Sequence, residues 1–511
     1  MSIKPHVWAC VLGAVLATPS AAQAPLSSID WLTPQTQTDR MPGTVLREPP
    51  VAQGVENQEI QVTPLEALKQ PLGLVASSTT GLPLDLWEAS DAQTISRLMA
   101  QVPVEPHAAM QSLLFTLILS ETRAPAGPYA EETLLLARLD RLLALGATDP
   151  AQALAQLAGP LDSRARFARW FDATLLTGDE DTSCAALLME QHLSAGYDAP
   201  IFCLARAGDW ETAALLLESA HTLELLPPAQ LALLDRYLSP DIFEGAPPLP
   251  TPQNPDPLTF RLFETIGERL PTAPLPRMFA TADLRDVAGW KAQIEAAERL
   301  TRVGALHPNH LLGLYTERRP AASGGTWDRV RALQQFDAAL TTGSAAAVTK
   351  TLPAVWSAMR SVGLEVAFAE LFSQRLAPIQ LAGDTAKLAW QIRLLSTDYE
   401  AVSKARPDDT TDTMFLVSLA NGQAARTLAT TPFSRAVAQG FSADALIPDT
   451  LRTLLDQGRL GETILRAMIL FDHGAKGNLN ALTDALATFR FVGLEDTARR
   501  AALQLVLLER R

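Results

Sequence analysis

From Ser90 almost to its last residue the chain reads as one short helical stretch after another, each stopped by glycine, proline or a capping side chain. Apolar residues recur at helical spacing, as in Met110, Leu113, Leu114, Leu117 and Ile118, and no run of strict apolar–polar alternation interrupts them. That pattern predicts an all-α fold. Helices this short barely form alone, because nucleation is costly and isolated helices below about 12–15 residues are marginal in water. Their stability must come from packing on neighbours. Several, such as the one carrying Ala213-Ala214-Leu215-Leu216-Leu217, are apolar round most of the circumference and need protein on two sides. Consecutive hairpins stacked in two layers supply this, so the expected architecture is a right-handed two-layer α-solenoid of short helical hairpins.

The punctuation gives the helix limits. Ser90-Asp91-Ala92-Gln93 has the form of a capping box and opens a helix that stops before Pro103. Pro106 suits a first helical position, Gly146 stops a helix running from Leu134, and Asp149-Pro150 is a cap followed by a first-turn proline. The Pro-rich stretch 241–257 divides the body into 84–240 and 258–511, and is either a domain boundary or a long surface crossover.

Residues 1–22 read as a secretory signal. Lys4 and His6 precede the apolar stretch Val7 to Ala17, which falls short of the roughly 20 residues that span a bilayer, and small residues follow to a cleavage site after Ala22. Residues 23–83 are rich in proline, glutamine, threonine and serine and read as an extended arm. Within it Ile29, Trp31 and Leu32 form a candidate docking motif, although such segments more often pack on their own domain. The expected location is the periplasm, with no stable membrane insertion once the signal is removed.

Three short passages echo one another: Gly208-Asp209-Trp210-Glu211-Thr212-Ala213, Gly493-Leu494-Glu495-Asp496-Thr497-Ala498 and the looser Gly363-Leu364-Glu365-Val366-Ala367. In each, glycine ends one helix, a carboxylate lies near the next N-terminus, and alanine permits close approach of a neighbour. On these residues the chain resembles the tetratricopeptide-type helical-hairpin solenoids, chiefly over Asp181–Leu226 and Leu460–Leu508. The family's Trp/Leu-Gly/Tyr consensus and constant period are missing. The resemblance implies architecture and a tendency to bind, and no site residue is carried over from it.

Lysine and arginine number 42 against 56 aspartates and glutamates, a formal charge of −14, and so acidic a chain is a poor partner for nucleic acid. Cys184 and Cys203, the cysteines left after the signal, lie 19 residues apart on what read as consecutive helices. In an oxidising compartment they read as a disulfide, with two separate buried thiols as the alternative.

Catalytic signatures are missing from the sequence. Thr349-Lys350-Thr351 lacks the glycines of a phosphate-binding loop, and there is no Gly-x-Ser-x-Gly elbow, His-Glu-x-x-His helix or dinucleotide fingerprint. His307-Pro308-Asn309-His310 reads as a helix cap rather than a zinc site. Ser323, Gly324, Gly325 and Thr326, with Arg329 a turn later, form a candidate anion-binding loop, against which stands the plainer reading of a threonine-capped loop with solvated arginines. Glu218-Ser219 resembles the Glu-Ser dipeptide of lytic transglycosylases, but that family's downstream Gly-Leu-Met-Gln block is absent. The expectation is a non-enzymatic scaffold or adaptor that binds an envelope protein or peptide, without cofactor or metal. A peptidoglycan-active enzyme and a passive spacer are the alternatives. Several ionisable side chains gathered in one deep hollow would count against the non-enzymatic reading.

Overall fold

The computed structural model describes residues 70–424 and 426–508, all within a unit spanning 45–511. The expected signal 1–22 and the candidate docking motif Ile29, Trp31 and Leu32 lie outside the described residues. Among those described, helix is the only regular element, and the nearest approach to sheet is a pair of isolated bridges, Leu72 with Thr122 and Val75 with Ser120.

Side-chain caps begin many of the helices. Asp91 accepts from the Thr94 amide at 2.7 Å and opens Ala92–Gln101. The cap is therefore Asp91, one residue later than the sequence pattern indicated, and Ser90 is buried instead. Likewise Ser163 accepts from Arg166 at 3.1 Å, and Asp209 from Thr212 at 3.1 Å. Pro106 does not start its helix. The His107 amide closes a turn on the Val104 carbonyl at 2.9 Å, so Ala108–Leu119 begins after it with His107 in the cap position. Gly146 ends Ala130–Leu145 at φ +80, which favours glycine, and a Cβ there would stand 2.4 Å from a Leu300 methyl and force that side chain to shift.

Packing follows the chain at first. Ala92–Gln101 lies on Ala130–Leu145, and neighbour follows neighbour through Thr148–Leu157, Arg164–Thr177, Glu180–Met189, Asp198–Arg206, Trp210–Thr222 and Pro228–Leu238. Cys184 and Cys203 are joined by a disulfide between Glu180–Met189 and Asp198–Arg206, their Cα atoms 5.0 Å apart. The Pro-rich stretch after Pro228–Leu238 is pinned to the body, with Arg236 donating to Pro247 O at 2.6 Å and the Leu249 amide to Glu268 at 2.7 Å. Pro257–Thr265 then returns onto Arg164–Thr177. Leu234 before the stretch and Leu258 after it share one core.

That core also joins residues far apart in sequence, from Leu82 to Leu503, while a second core is built from 294–395. A stack held only by sequential neighbours keeps its ends apart. Here Glu495–Leu508 packs on Ala108–Leu119, and Leu460–Ala475 on Ala92–Gln101. The seam is tight. Trp87 is fully buried, the Gly461 amide donates to Leu86 O at 3.1 Å, and a Cβ on Gly461 would stand 2.4 Å from the Trp87 ring. The last part of the expected arm, 70–83, belongs to this body too, since the Leu72 amide donates to Thr122 O at 3.0 Å and Leu82 is buried. Beneath it the fully buried Arg138 donates to the carbonyls of Leu72, Ile118 and Ser120, and burial pulls its pKa down to about 10.

Candidate functional site

The helix Ala108–Leu119 has one apolar face and one of mixed polarity. Met110, Leu113, Leu114 and Leu117 fill the core, while Gln111, Ser112, Phe115 and Leu119 recur at helical spacing on the other side. This second face opens on a cavity of about 1290 Å³. Glu495–Leu508 contributes Arg500, Gln504, Leu505 and Leu508 in the same i, i+4 rhythm, Glu365–Leu376 contributes Val366 and Glu370, and Phe433 and Phe471 come from two further helices. The cavity therefore exists because helices from both ends of the chain and from its middle meet around it. Its size exceeds the roughly 300–1,000 Å³ of ordinary small-molecule pockets.

Ionisable side chains gather here. His107 is buried against Phe471 in an edge-on ring contact at 5.2 Å, and its Nε2 lies 3.4 Å from Asp472 Oδ1. Burial depresses the His107 pKa more than Asp472 restores it, so the imidazole is neutral at pH 7. The other Asp472 oxygen accepts from Lys476 at 2.6 Å. Glu105 is paired with Arg277 at 2.5 Å.

Other groups lining the cavity are only partly satisfied. Gln504 spends its carbonyl oxygen on the Ala109 amide at 2.9 Å, but its Nε2 is buried without a hydrogen bond. One turn earlier, Arg500 Nε is also buried and unbonded, and the nearest acid, Asp496, stands 4.0 Å from the guanidinium. Arg302 Nε is in the same condition. Glu370 has no cation within 4.0 Å among the described residues, and the surrounding wall raises its pKa against the lowering pull of Arg500 and His307.

The residues singled out in the sequence fare differently. His307 caps Pro308–Glu317, its Nδ1 accepting from the Asn309 amide at 3.2 Å, and it stands at the cavity wall. No group of three or more metal-ligating side chains occurs among the described residues. In the candidate anion loop, Ser323, Gly324 and Gly325 are exposed, but Thr326 is buried and donates to Glu295 at 2.7 Å. Arg329 is bound to both oxygens of Glu298, at 2.9 and 2.7 Å, so the loop presents no free guanidinium from that residue. Glu218 is exposed and lies away from the cavity, and the Ser219 hydroxyl donates to Leu215 O at 2.8 Å. Trp170 and Trp390 are core, whereas Trp210 is about half exposed beside Tyr237. Among the described residues no helix is long and apolar enough to cross a membrane.

The cavity escaped sequence reasoning altogether. Arg500 and Gln504 at i and i+4 formed one visible local signal, and His107 just before an apolar helix another, but neither indicates what it faces. The gathering of ionisable groups in one hollow is the observation set against the non-enzymatic expectation, and it bears on the function below. Comparison with protein families, curated proteins and solved structures finds no match, so no activity is borrowed from a relative.

Proposed function

We propose that the protein is a periplasmic adaptor, a solenoid of helical hairpins drawn together at its ends, whose cavity receives a peptide segment of an envelope partner. The observation that carries this reading is the cavity itself: about 1290 Å³, walled by helices from both ends of the chain, and mixing apolar side chains such as Phe115 and Leu505 with polar ones such as Ser112 and Glu370. A peptide has the same mixture, with side chains for the apolar wall and backbone groups for the polar one. Filling the space supplies the test. Val366→Trp pushes an indole into the cavity without removing a core contact. Purification of the mature protein from envelope extracts is expected to recover a stoichiometric partner with the natural chain and to lose it with the variant. A chain that stays alone in both cases overturns the reading.

A second reading rests on the pair His107 and Asp472. A neutral imidazole beside a carboxylate at a cavity wall has the composition of a general base, so a peptidoglycan-active enzyme stays in contention. The exposed Glu218 weighs against a transglycosylase acid at that position. Incubation with peptidoglycan distinguishes the two readings. Release of muropeptides by the natural chain, lost in His107→Ala, establishes the enzyme, and no release across a broad pH range removes it.

A further inference from the structure

The walls of the cavity are mostly faces of helices, and the interior of a helix has already paired its backbone along its own axis. The loop amides on the wall are used as well. Gly304 donates to Thr301 O at 3.0 Å, Ala305 to Leu300 O at 3.0 Å, Val362 to Met359 O at 3.2 Å, Gly363 to Arg360 O at 3.3 Å and Gly477 to Gly474 O at 3.0 Å. Polar side chains on the wall are engaged in the same way. The Ser112 hydroxyl donates to Ala108 O at 3.2 Å, the Gln111 amide group to the carbonyls of Val104, Glu105 and Arg302, and Lys476 to Asp472 at 2.6 Å. Among the described residues there is no strand whose edge could pair with a ligand.

An extended peptide brings an amide and a carbonyl with every residue, and it would bury them here against a wall with few groups free to pair. Buried backbone groups left unpaired are costly, which is why extended peptides bind on sheet edges. A helical segment arrives with its backbone satisfied and needs only side-chain contact, packing ridge into groove on the helices around it. The size agrees. A helix with its side chains is about 10–12 Å across, so a space of about 1290 Å³ holds roughly 12–16 Å of its length, or about two to three turns.

Charge narrows the ligand further. Glu370 is exposed on the wall, and Arg500 and His307 act on it only through space. Around it the lining is largely apolar, with Phe115, Val366 and Leu505. A lone accessible carboxylate in such a setting favours a ligand that sets a cation beside an apolar stripe.

We infer that the cavity receives an amphipathic α-helical segment of the partner, two to three turns long, its apolar stripe on the wall and a lysine or arginine meeting Glu370. This rests on the peptide-binding reading above and specifies the conformation and charge of the ligand.

The test displays random peptides about 14 residues long, roughly four helical turns, on phage and selects them on the mature chain, with counter-selection on Val366→Trp. Enriched peptides are expected to carry apolar residues at i, i+3, i+4 and i+7, a basic residue beside that stripe and no interior proline. Placing proline in the middle of an enriched peptide should weaken its binding about a hundredfold. Glu370→Lys should weaken binding of the basic peptides about tenfold, and a selection repeated on that variant should enrich acidic ones. Thermal unfolding of each variant separates a lost site from a lost fold. Enrichment of proline-containing or strictly alternating peptides, with no helical circular dichroism on binding, overturns the inference and leaves the peptide-binding reading standing. Helical peptides indifferent to Glu370→Lys overturn the role of that carboxylate. If nothing is enriched on the natural chain over Val366→Trp, both readings fall.

Discussion

Two ionic regions of this protein have been handled in opposite ways. Around Pro257–Thr265, Glu180 is wholly buried yet meets Arg206 at 3.0 Å and Arg261 at 2.8 Å, and Glu264 is bridged by Arg261 and Arg285. Around the cavity, Arg500, Arg302 and Gln504 keep buried N–H groups with no acceptor. Both regions keep unbonded buried atoms, Glu180 Oε2 and Glu264 Oε1 among them, but in the first each carboxylate meets two guanidinium groups at close range. The first region is an ion-pair network between helices, and its loss should be felt as stability. The second is open toward empty space, and its loss should be felt as binding.

The sharpest way to break the comparison is Glu180→Ala. It leaves two cations facing a vacancy and should cost about 3–4 kcal/mol in urea unfolding, since removing one partner of a buried pair is strongly destabilising. A change within 0.5 kcal/mol would show the network to be ornamental. Next is the disulfide, which staples the helices carrying this network. Cys184→Ala with Cys203→Ala should lower stability by about 3 kcal/mol under oxidising conditions. Under strong reductant the natural chain should fall toward the variant.

Asp172 offers a change of opposite sign. Burial, with Asp256 adding to it, raises its pKa to about 7. For an acid raised above its unfolded value of 3.8, the contribution to stability is fully present below that value and is lost as pH rises toward 7. Asp172→Asn should therefore stabilise by about 1–2 kcal/mol at pH 8, allowing for partial exposure, and the gain should shrink as the pH falls toward 4. A gain that is flat with pH would refute the assignment. Smallest of all, Val366→Trp should shift the unfolding midpoint by less than about 0.5 kcal/mol, because it fills open cavity and replaces no core contact. A large loss would mean that this wall is packed core and not a site.

Local features of the fold were legible because their causes are local. Asp209 caps its helix through an amide three residues on, Gly146 stops its helix by adopting a positive φ, and Cys184 and Cys203 lie on consecutive helices within bonding reach. Where the reading slipped, at Ser90 and Pro106, it slipped by a residue or two, because competing turn hydrogen bonds moved the cap. The Pro-rich stretch 241–257 was ambiguous in the sequence, since linkers and crossovers share a composition, and that Leu234 and Leu258 share a core is visible only in three dimensions. The candidate anion loop stood open between two readings for a similar reason, as nothing near Arg329 in sequence announces that Glu298 will take its guanidinium.

The sequence by itself determined the helical class and, to within a residue or two, many of the places where helices start and stop, because each follows from backbone preferences and side chains within a few turns, while the joining of Cys184 to Cys203 needed their helices to face each other. The meeting of Ala108–Leu119 with Glu495–Leu508, and with it the cavity, was decided only in three dimensions. Which residues of a helix end in the core, and which are left lining a hollow, depends on partners hundreds of residues away, and a partly apolar face reads the same in either case.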